Sequence, residues 1–311
     1  MTMTPAILGA GFIGRHLLRS LLSQGCVVSV LDEALCSAEF SSRTRWVQGS
    51  FMNRKDVARA IEGASVVYHL ISSTVPGDAV DENEELFSNV VQTINLLREC
   101  VHQGVRRVVF ISSASVYGRR RTLPIPEAAE TDPISSHGIH KLTIEKYLQL
   151  YKYEFGIDCK IMRLSNPYGS GQNLYGRQGF ISIVIGKLLS GGDIEIRGEG
   201  TAIRDFVHID DVVWALRRLA VIESDESVFN IGSGQGVCLN DVVGLVQDIL
   251  GKTVPVRRTD ERMADIPASI LDISKARRIM GFEPRISLRD GLQELLVHHG
   301  LLDASHPKGK D

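Results

Sequence analysis

One tight turn near the start of the chain constrains its fold more than any other feature. Pro5, Ala6, Ile7 and Leu8 form a short apolar run, and Gly9, Gly11 and Gly14 follow as G-A-G-F-I-G. Beyond the turn, Phe12, Ile13, Leu17, Leu18, Leu21 and Leu22 recur at helical spacing. A second apolar run, residues 26–31, ends at Asp32. The order is strand, glycine turn, helix, strand, acid. Glycines so placed let the backbone approach a pyrophosphate, and the helix N-terminus offers it N–H groups and a positive dipole end. Asp32 falls about 20 residues past the turn, where a carboxylate accepts from the hydroxyls of an adenosine ribose. Glu33 follows it and no arginine precedes Arg43, so a 2′-phosphate would meet two like charges. The turn predicts a bound dinucleotide, NAD in preference to NADP.

The chain has 311 residues, material for about two domains. A formal net charge of −2 argues against an electrostatic nucleic-acid binder. The five cysteines, Cys26, Cys36, Cys100, Cys159 and Cys238, are scattered, as expected of reduced thiols in a cytoplasmic protein without a metal site. With the first strand expected from Pro5, no signal peptide is expected ahead of it, and no apolar run is long enough to enter a membrane as a span. Strand-like runs at 45–47, 65–71, 106–112 and 158–164 alternate with helix-like stretches near 54–62, 83–103 and 137–155. Such alternation predicts an α/β fold: a Rossmann-type, doubly wound parallel sheet with helices on both faces. Ligands of these sheets lie outside the carboxyl ends of the strands, which directs attention to Ser72, Ser73, Ser112, Ser113 and Asn166. His69, alone in an apolar run, reads as a packed strand histidine.

Residues 110–118, F-I-S-S-A-S-V-Y-G, end a strand in clustered hydroxyls. The next helix opens P-I-S-S-H-G-I-H-K, with His137 and Lys141 four apart on one face. These stretches resemble the extended short-chain dehydrogenases/reductases, close to the NAD-dependent UDP-glucose and UDP-N-acetylglucosamine 4-epimerases. The resemblance implies catalytic roles for Ser113 and Lys141 and puts His137 where the family carries its tyrosine. There the tyrosine, as phenolate, takes a sugar hydroxyl proton while hydride leaves. Histidine exchanges protons near neutrality, but imidazole is shorter than phenol and the Lys141 cation disfavours a second positive charge beside it. Three readings stay open: His137 is a substitute base, it cripples a former enzyme, or it has been introduced to trap a complex. His140 is expected at the surface. The resemblance also implies cofactor contacts at Gly9, Gly11, Phe12, Ile13, Gly14, Asp32, Ser50, Phe51, Leu70 and Lys141. Two departures stand out: Leu8 replaces the family's first glycine, and Ser50 replaces a carboxylate that contacts adenine. Altered NAD affinity, not its loss, is the expectation.

In the second half, R-L-S-N-P-Y-G at 163–169 resembles the family's R-x-x-N-x-Y-G and implies that Asn166 donates to a substrate diphosphate. A helix is expected over 180–189 and a strand over 194–198, with Arg197 where the family often has an aromatic; its guanidinium plane suits stacking on a base. The segment R-D-F-V-H-I-D-D, 204–211, matches a family motif that makes Arg204 a diphosphate ligand, a planar fork for two oxygens. Asp210 is expected to cap the helix that follows, and His208 to be packed rather than catalytic. Residues 227–234 should return to the sheet. The resemblance makes Arg262 a phosphate ligand, Asp265 a ribose ligand, and Ser269 a small residue that admits a 2-acetamido sugar. The tail, 305–311, is expected to be disordered. The expected organisation is an NAD domain over 1–165, with 205–232 returning to it, and a smaller mixed nucleotide-sugar domain over 166–311. The implied reaction is 4-epimerisation of a UDP-sugar through a 4-keto intermediate. A 4-ketosugar reductase and a nucleotide-sugar binder impaired by His137 are the alternatives. Ala114 and Ser115 stand where the family's 4,6-dehydratases carry Asp-Glu, which argues against a dehydratase. Helices near 83–103 and 137–155 carry surplus apolar positions, and the resemblance implies that they pair in a homodimer. Polysaccharide biosynthesis is an expectation by analogy alone.

Overall fold

The computed structural model describes residues 3–72, 81–176, 178–260 and 266–303. Ser73, Arg262, Asp265 and the tail at 305–311 lie outside the described residues. The chain starts with β1 (Pro5–Leu8), α1 (Phe12–Ser23), β2 (Val28–Asp32), β3 (Thr44–Gln48), α2 (Arg54–Ile61) and β4 (Val66–His69). α3 (Glu82–Leu86) then runs through a π turn, Phe87–Val91, into α4 (Gln92–His102). β5 (Arg107–Ser113) ends in a 3-10 turn, Ala114–Tyr117, before α5 (Ser136–Phe155) and β6 (Asp158–Leu164). Local chemistry sets several of these ends. The Asn53 side chain accepts from Lys55 N–H to start α2, and Ser135 accepts from Gly138 N–H to start α5. Gly156, in the left-handed region, closes α5.

The later elements are β7 (Asn166–Tyr168), α6 (Phe180–Ser190), β8 (Ile194–Arg197), β9 (Ile203–Arg204), β10 (Phe206–His208) and α7 (Ile209–Val221). β11 (Val228–Ile231), β12 (Val237–Cys238), α8 (Leu239–Leu250), β13 (Val256–Thr259), β14 (Ala268–Ser269), α9 (Ser274–Met280) and α10 (Leu288–His298) complete the described chain.

Seven strands form the central sheet in the order β11-β6-β5-β4-β1-β2-β3. β1 pairs in parallel with β2 on one side and β4 on the other, so the winding reverses at β1 and opens a crevice beyond its carboxyl end. β1 and β4 are buried along their whole length, as an apolar strand covered on both faces must be. Leu8, Val67, Val108 and Phe110 pack with Leu96, Leu97, Ile144 and Leu148 in one core. Shorter strands pair as β7 with β10, β8 with β13, and β12-β9-β14. Their core is separate: Ile181, Ile185, Ile196, Phe206, Val242, Val246, Leu292 and Leu296. The chain accordingly divides into two compact units. The first comprises Met1–Tyr117, Glu130–Arg163 and Val213–Phe229, and the second Gly118–Ala129, Leu164–Val212 and Asn230–Asp311.

Three expectations need correction. The single helix expected near 83–103 is two helices broken by the π turn. Asn89 Nδ2 donates to the Glu85 carbonyl and Thr93 Oγ1 to that of Asn89, side chains competing for helical acceptors around the break. Asp210 does not cap α7 but lies inside its first turn; His208 Nδ1 accepts Asp210 N–H at 3.3 Å and does the capping. His140 is buried, not at the surface, because α5 packs against the π turn and α4 as well as against the sheet. Burial pushes the His140 imidazole down from its ordinary value, opposed by the charge of Glu85.

Candidate active site

The glycine turn sits at the crevice beyond β1. A Cβ on Gly14 would lie 2.1 Å from the Gly9 carbonyl oxygen, and Gly9 itself has φ +96°. These two glycines are required by the fold. Gly11 is not: a Cβ there would meet no atom within 4 Å. Gly11 is also the N-cap of α1, with no side-chain cap and no acid in the first turn. The exposed N–H groups at the helix start, with nothing filling the space beside Gly11, fit a pyrophosphate. Asp32 closes the turn: its Oδ2 accepts Ala10 N–H at 2.6 Å and its Oδ1 accepts Ala34 N–H at 2.8 Å. The predicted neighbours Phe12 and Ile13 are half-buried on the first turn of α1. Leu70 Cδ1 would stand 3.6 Å from a Cβ on Gly14, so it borders the turn. Phe51 is buried against His69, ring centroids 5.2 Å apart. Ser50 Oγ donates to Glu33 Oε1 at 2.9 Å, so the serine draws in a carboxylate that its own side chain lacks.

His69 is the packed histidine expected: it lies between Phe51 and Phe110, and its Nε2 is 2.8 Å from Thr93 Oγ1. Burial, with the Lys141 charge adding to it, pushes His69 down to about 3, so it is neutral in use.

β5 and α5 bring Ser113, His137 and Lys141 together. Ser113 is the last residue of β5, and its Oγ accepts Ser115 N–H at 3.1 Å. A Cβ on Gly138 would come within 2.8 Å of the Ser115 carbonyl and of Pro133 Cβ. Only glycine lets the first turn of α5, which carries His137, press this close to the turn that follows Ser113. His137 is half-buried, one helical turn before Lys141. Lys141 is buried; its Nζ donates to the Ile111 carbonyl at 2.8 Å and lies 4.7 Å from the Phe110 ring centroid. Burial lowers the Lys141 ammonium to about 8, with Glu145 opposing the shift. A hydroxyl, an imidazole and a weakly held ammonium proton on one rigid scaffold can exchange a proton with a bound alcohol.

In the second unit the predicted substrate residues fall into two groups. β14 pairs with β9 so that Ser269 stands opposite Arg204. Arg204 Nη1 donates to the Ile203 carbonyl at 2.9 Å. Asn166 Nδ2 donates to the Asp205 carbonyl at 3.0 Å, which places it beside the same strand segment. Asp205, wholly buried, fixes that segment by accepting from Ser233 N–H and Oγ–H and from the N–H groups of Gly234 and Leu271. Burial pushes the Asp205 carboxyl up, and the Ser233 bonds oppose it. Arg197, exposed, belongs elsewhere: β8 carries it beside Thr259 of β13. There the strand ends open into a cleft of about 400 Å³ lined by Gly198, Glu199, Arg258, Thr259 and Asp260. His208 is packed edge-on to Tyr168, ring centroids 5.3 Å apart.

Two features escaped the sequence reading. One is Glu33 as the partner of Ser50. The other is a buried cluster of Ser112, Glu145 and Arg163: Ser112 stands among the strand-end hydroxyls and Arg163 opens the motif at 163–169, but only the spacing of Glu145 four residues after Lys141 hints at their meeting. All five cysteines are free, and the described residues hold no cluster able to bind a metal ion. None of the described helices is long and apolar enough to cross a membrane.

Residues 6–232 match the model of the NAD dependent epimerase/dehydratase family. The UDP-glucose 4-epimerase of Mycolicibacterium smegmatis is 31% identical over 293 residues, 91% of this chain and 94% of that protein. A crystal structure of UDP-glucose 4-epimerase from Thermotoga maritima with UDP-glucose has a TM-score of 0.88 at 30% identity, covering 96% of this chain and 99% of that one. UDP-glucuronic acid 4-epimerase from Bacillus cereus, in complex with UDP-glucuronic acid and NAD, has a TM-score of 0.87 at 26% identity, with coverages of 96% and 99%.

Proposed function

The chain belongs to the NAD dependent epimerase/dehydratase family, and from that premise we propose that it is a nucleotide-sugar 4-epimerase acting on a UDP-sugar with NAD as cofactor. The observation that carries this reading is the assembly of Ser113, His137 and Lys141 by the close approach at Gly138. The glycine turn with Asp32 holds the dinucleotide, and Lys141 binds the nicotinamide ribose. When bound, NAD supplies the acceptor that takes hydride from sugar C4 and gives it back to the other face. Ser113 donates to O4 and steadies it. His137 takes the O4 proton as the ring becomes the 4-keto sugar and returns it afterwards, so proton and hydride both balance over the cycle.

Arg204 and Asn166 hold the substrate diphosphate, assisted by Arg262, with Asp265 on the ribose. Arg197 stacks on the base. Ser269, small and opposite Arg204, leaves room for a 2-acetamido group, so UDP-N-acetylglucosamine and UDP-glucose are both acceptable. Leu86, Phe87, Ile139 and Tyr153 expose large apolar surface on the elements around α4 and α5, which supports pairing of two copies.

The test is substitution at His137. His137→Ala is expected to lower kcat by about 10²–10⁴-fold, the usual worth of a general base, with UDP-sugar affinity unchanged. His137→Tyr is expected to lose rate because the site has adapted to imidazole. A large gain on His137→Tyr would show that histidine impairs the site, and unchanged turnover in His137→Ala would remove it from the chemistry.

A further inference from the structure

We propose that Glu145 is a positioning residue of the acid–base centre, acting through Lys141 and Ser112 and not on substrate. The proposal rests on the roles given above to Ser113, His137 and Lys141. Its geometry does not. Glu145 is wholly buried on α5, and a buried carboxylate without partners is costly enough to unfold or neutralise itself. Its partners come from two strands. From β6, Arg163 Nη2 donates to Oε2 at 2.7 Å and Nε to Oε1 at 3.1 Å. From β5, Ser112 Oγ donates to Oε1 at 2.5 Å. One carboxylate thus pins α5 to the strand whose next residue is Ser113. Arg163 extends the clamp: Nη1 donates to the Tyr117 hydroxyl at 2.9 Å, and Tyr117 closes the turn that follows Ser113. The residue before Ser113 and the turn after it are therefore both tied to one buried ion pair.

The helix phase does the rest. His137, Lys141 and Glu145 are spaced by four, so they share a face of α5. Among the described residues the close contacts of the Lys141 ammonium are neutral, the Ile111 carbonyl and the Phe110 ring. The Lys141 charge bears on His69 of β4, which is neutral; Arg163 of β6 has its charge engaged by Glu145 and lies over the ring of Tyr117 on the 3-10 turn. On its own helix are His137 and His140, and Glu85 from α3 bears on His140. Among these groups Glu145 is the anion that counters the loss of charge imposed on Lys141 by burial.

The test compares Glu145→Gln, Glu145→Asp and Ser112→Ala with the unmodified chain. The Lys141 side chain is followed by NMR in ¹³C-lysine-labelled protein without substrate, its signal assigned with Lys141→Arg. Glu145→Gln is expected to lower the Lys141 midpoint by about one pH unit, a tenfold loss of proton affinity. The alkaline limb of kcat should move down equally, with KM within about twofold. Ser112→Ala keeps the ion pair, so it should lower kcat and leave the midpoint in place. Glu145→Asp retains the charge one methylene farther off and serves if Glu145→Gln does not fold; it should lower both midpoint and kcat by less. A midpoint and limb that stay put while Tm and kcat fall uniformly would make Glu145 merely structural and overturn the proposal. Absence of turnover on any UDP-sugar would instead count against the epimerase reading and leave the NMR result standing.

Discussion

Replacing Gly11 by alanine should separate ligand binding from folding. At Gly11 φ is −70°, which alanine adopts freely, and the added methyl meets no atom within 4 Å. Alanine is a poorer N-cap than glycine by about 0.5–1 kcal/mol, while lost freedom of the unfolded chain returns about 0.4–1 kcal/mol. The two nearly cancel, so Tm should move by no more than about 4 °C. The methyl would occupy the space beside the first N–H groups of α1, where a pyrophosphate oxygen must sit. Losing one charge-assisted hydrogen bond costs about 1.5–3 kcal/mol, which weakens NAD binding by roughly 10–150-fold. Gly14→Ala supplies the contrast. Its Cβ would fall 2.1 Å from the Gly9 carbonyl oxygen, and neither backbone can yield cheaply. Overpacking of this kind costs about 1–3 kcal/mol or more, so Gly14→Ala should lose stability as well as NAD. Calorimetric titration of cofactor-stripped protein with NAD, beside thermal melts, reads both effects. An NAD Kd within twofold of the parent in folded Gly11→Ala would refute the assignment. So would equal destabilisation by the two substitutions.

Arg204→Ala should weaken UDP-sugar binding about 10–100-fold by removing charge-assisted bonds to the diphosphate, with little change in melting temperature; titration with UDP alone checks it. Acid stability should carry the mark of His69. Its folded value near 3 lies below the unfolded value of about 6.5, so below pH 6.5 the unfolded chain takes a proton that the folded chain refuses. Stability should fall by up to about 1.4 kcal/mol per pH unit from that group, and denaturant titrations between pH 6.5 and 4 should show a shallower slope in His69→Gln. His140, lowered by burial, acts in the same direction and will keep the slope from vanishing. Light scattering should give twice the chain mass, and the pair Phe87→Lys with Ile139→Lys should return it to one; a parent that scatters as a single chain would rule out the dimer.

The parts of this molecule legible in its sequence are those with a period or a punctuation mark. β1, the glycine turn, α1 and Asp32 were readable because apolar spacing and glycine placement are local. The strand pairing that sets Ser269 opposite Arg204 was not, because register across distant segments leaves no local trace. Ser112 and Arg163 each stand in a legible stretch, but their convergence on Glu145 does not show in the sequence, since ion-pair burial depends on how helix and strands pack. The burial of His140 leaves no mark in its own polar character, because it depends on the π turn and α4 packing against α5. The π turn is accompanied by side-chain bonds at Asn89 and Thr93 that no periodicity announces.

Proton NMR of the purified chain with NAD and UDP-glucose, then with UDP-N-acetylglucosamine, addresses the central assignment most directly. The corresponding 4-epimer should grow to equilibrium with no added reductant and no net change in NAD. Saturable binding of both sugars with neither epimer formed at any pH, or turnover only when NADH and a 4-keto sugar are supplied together, would contradict it.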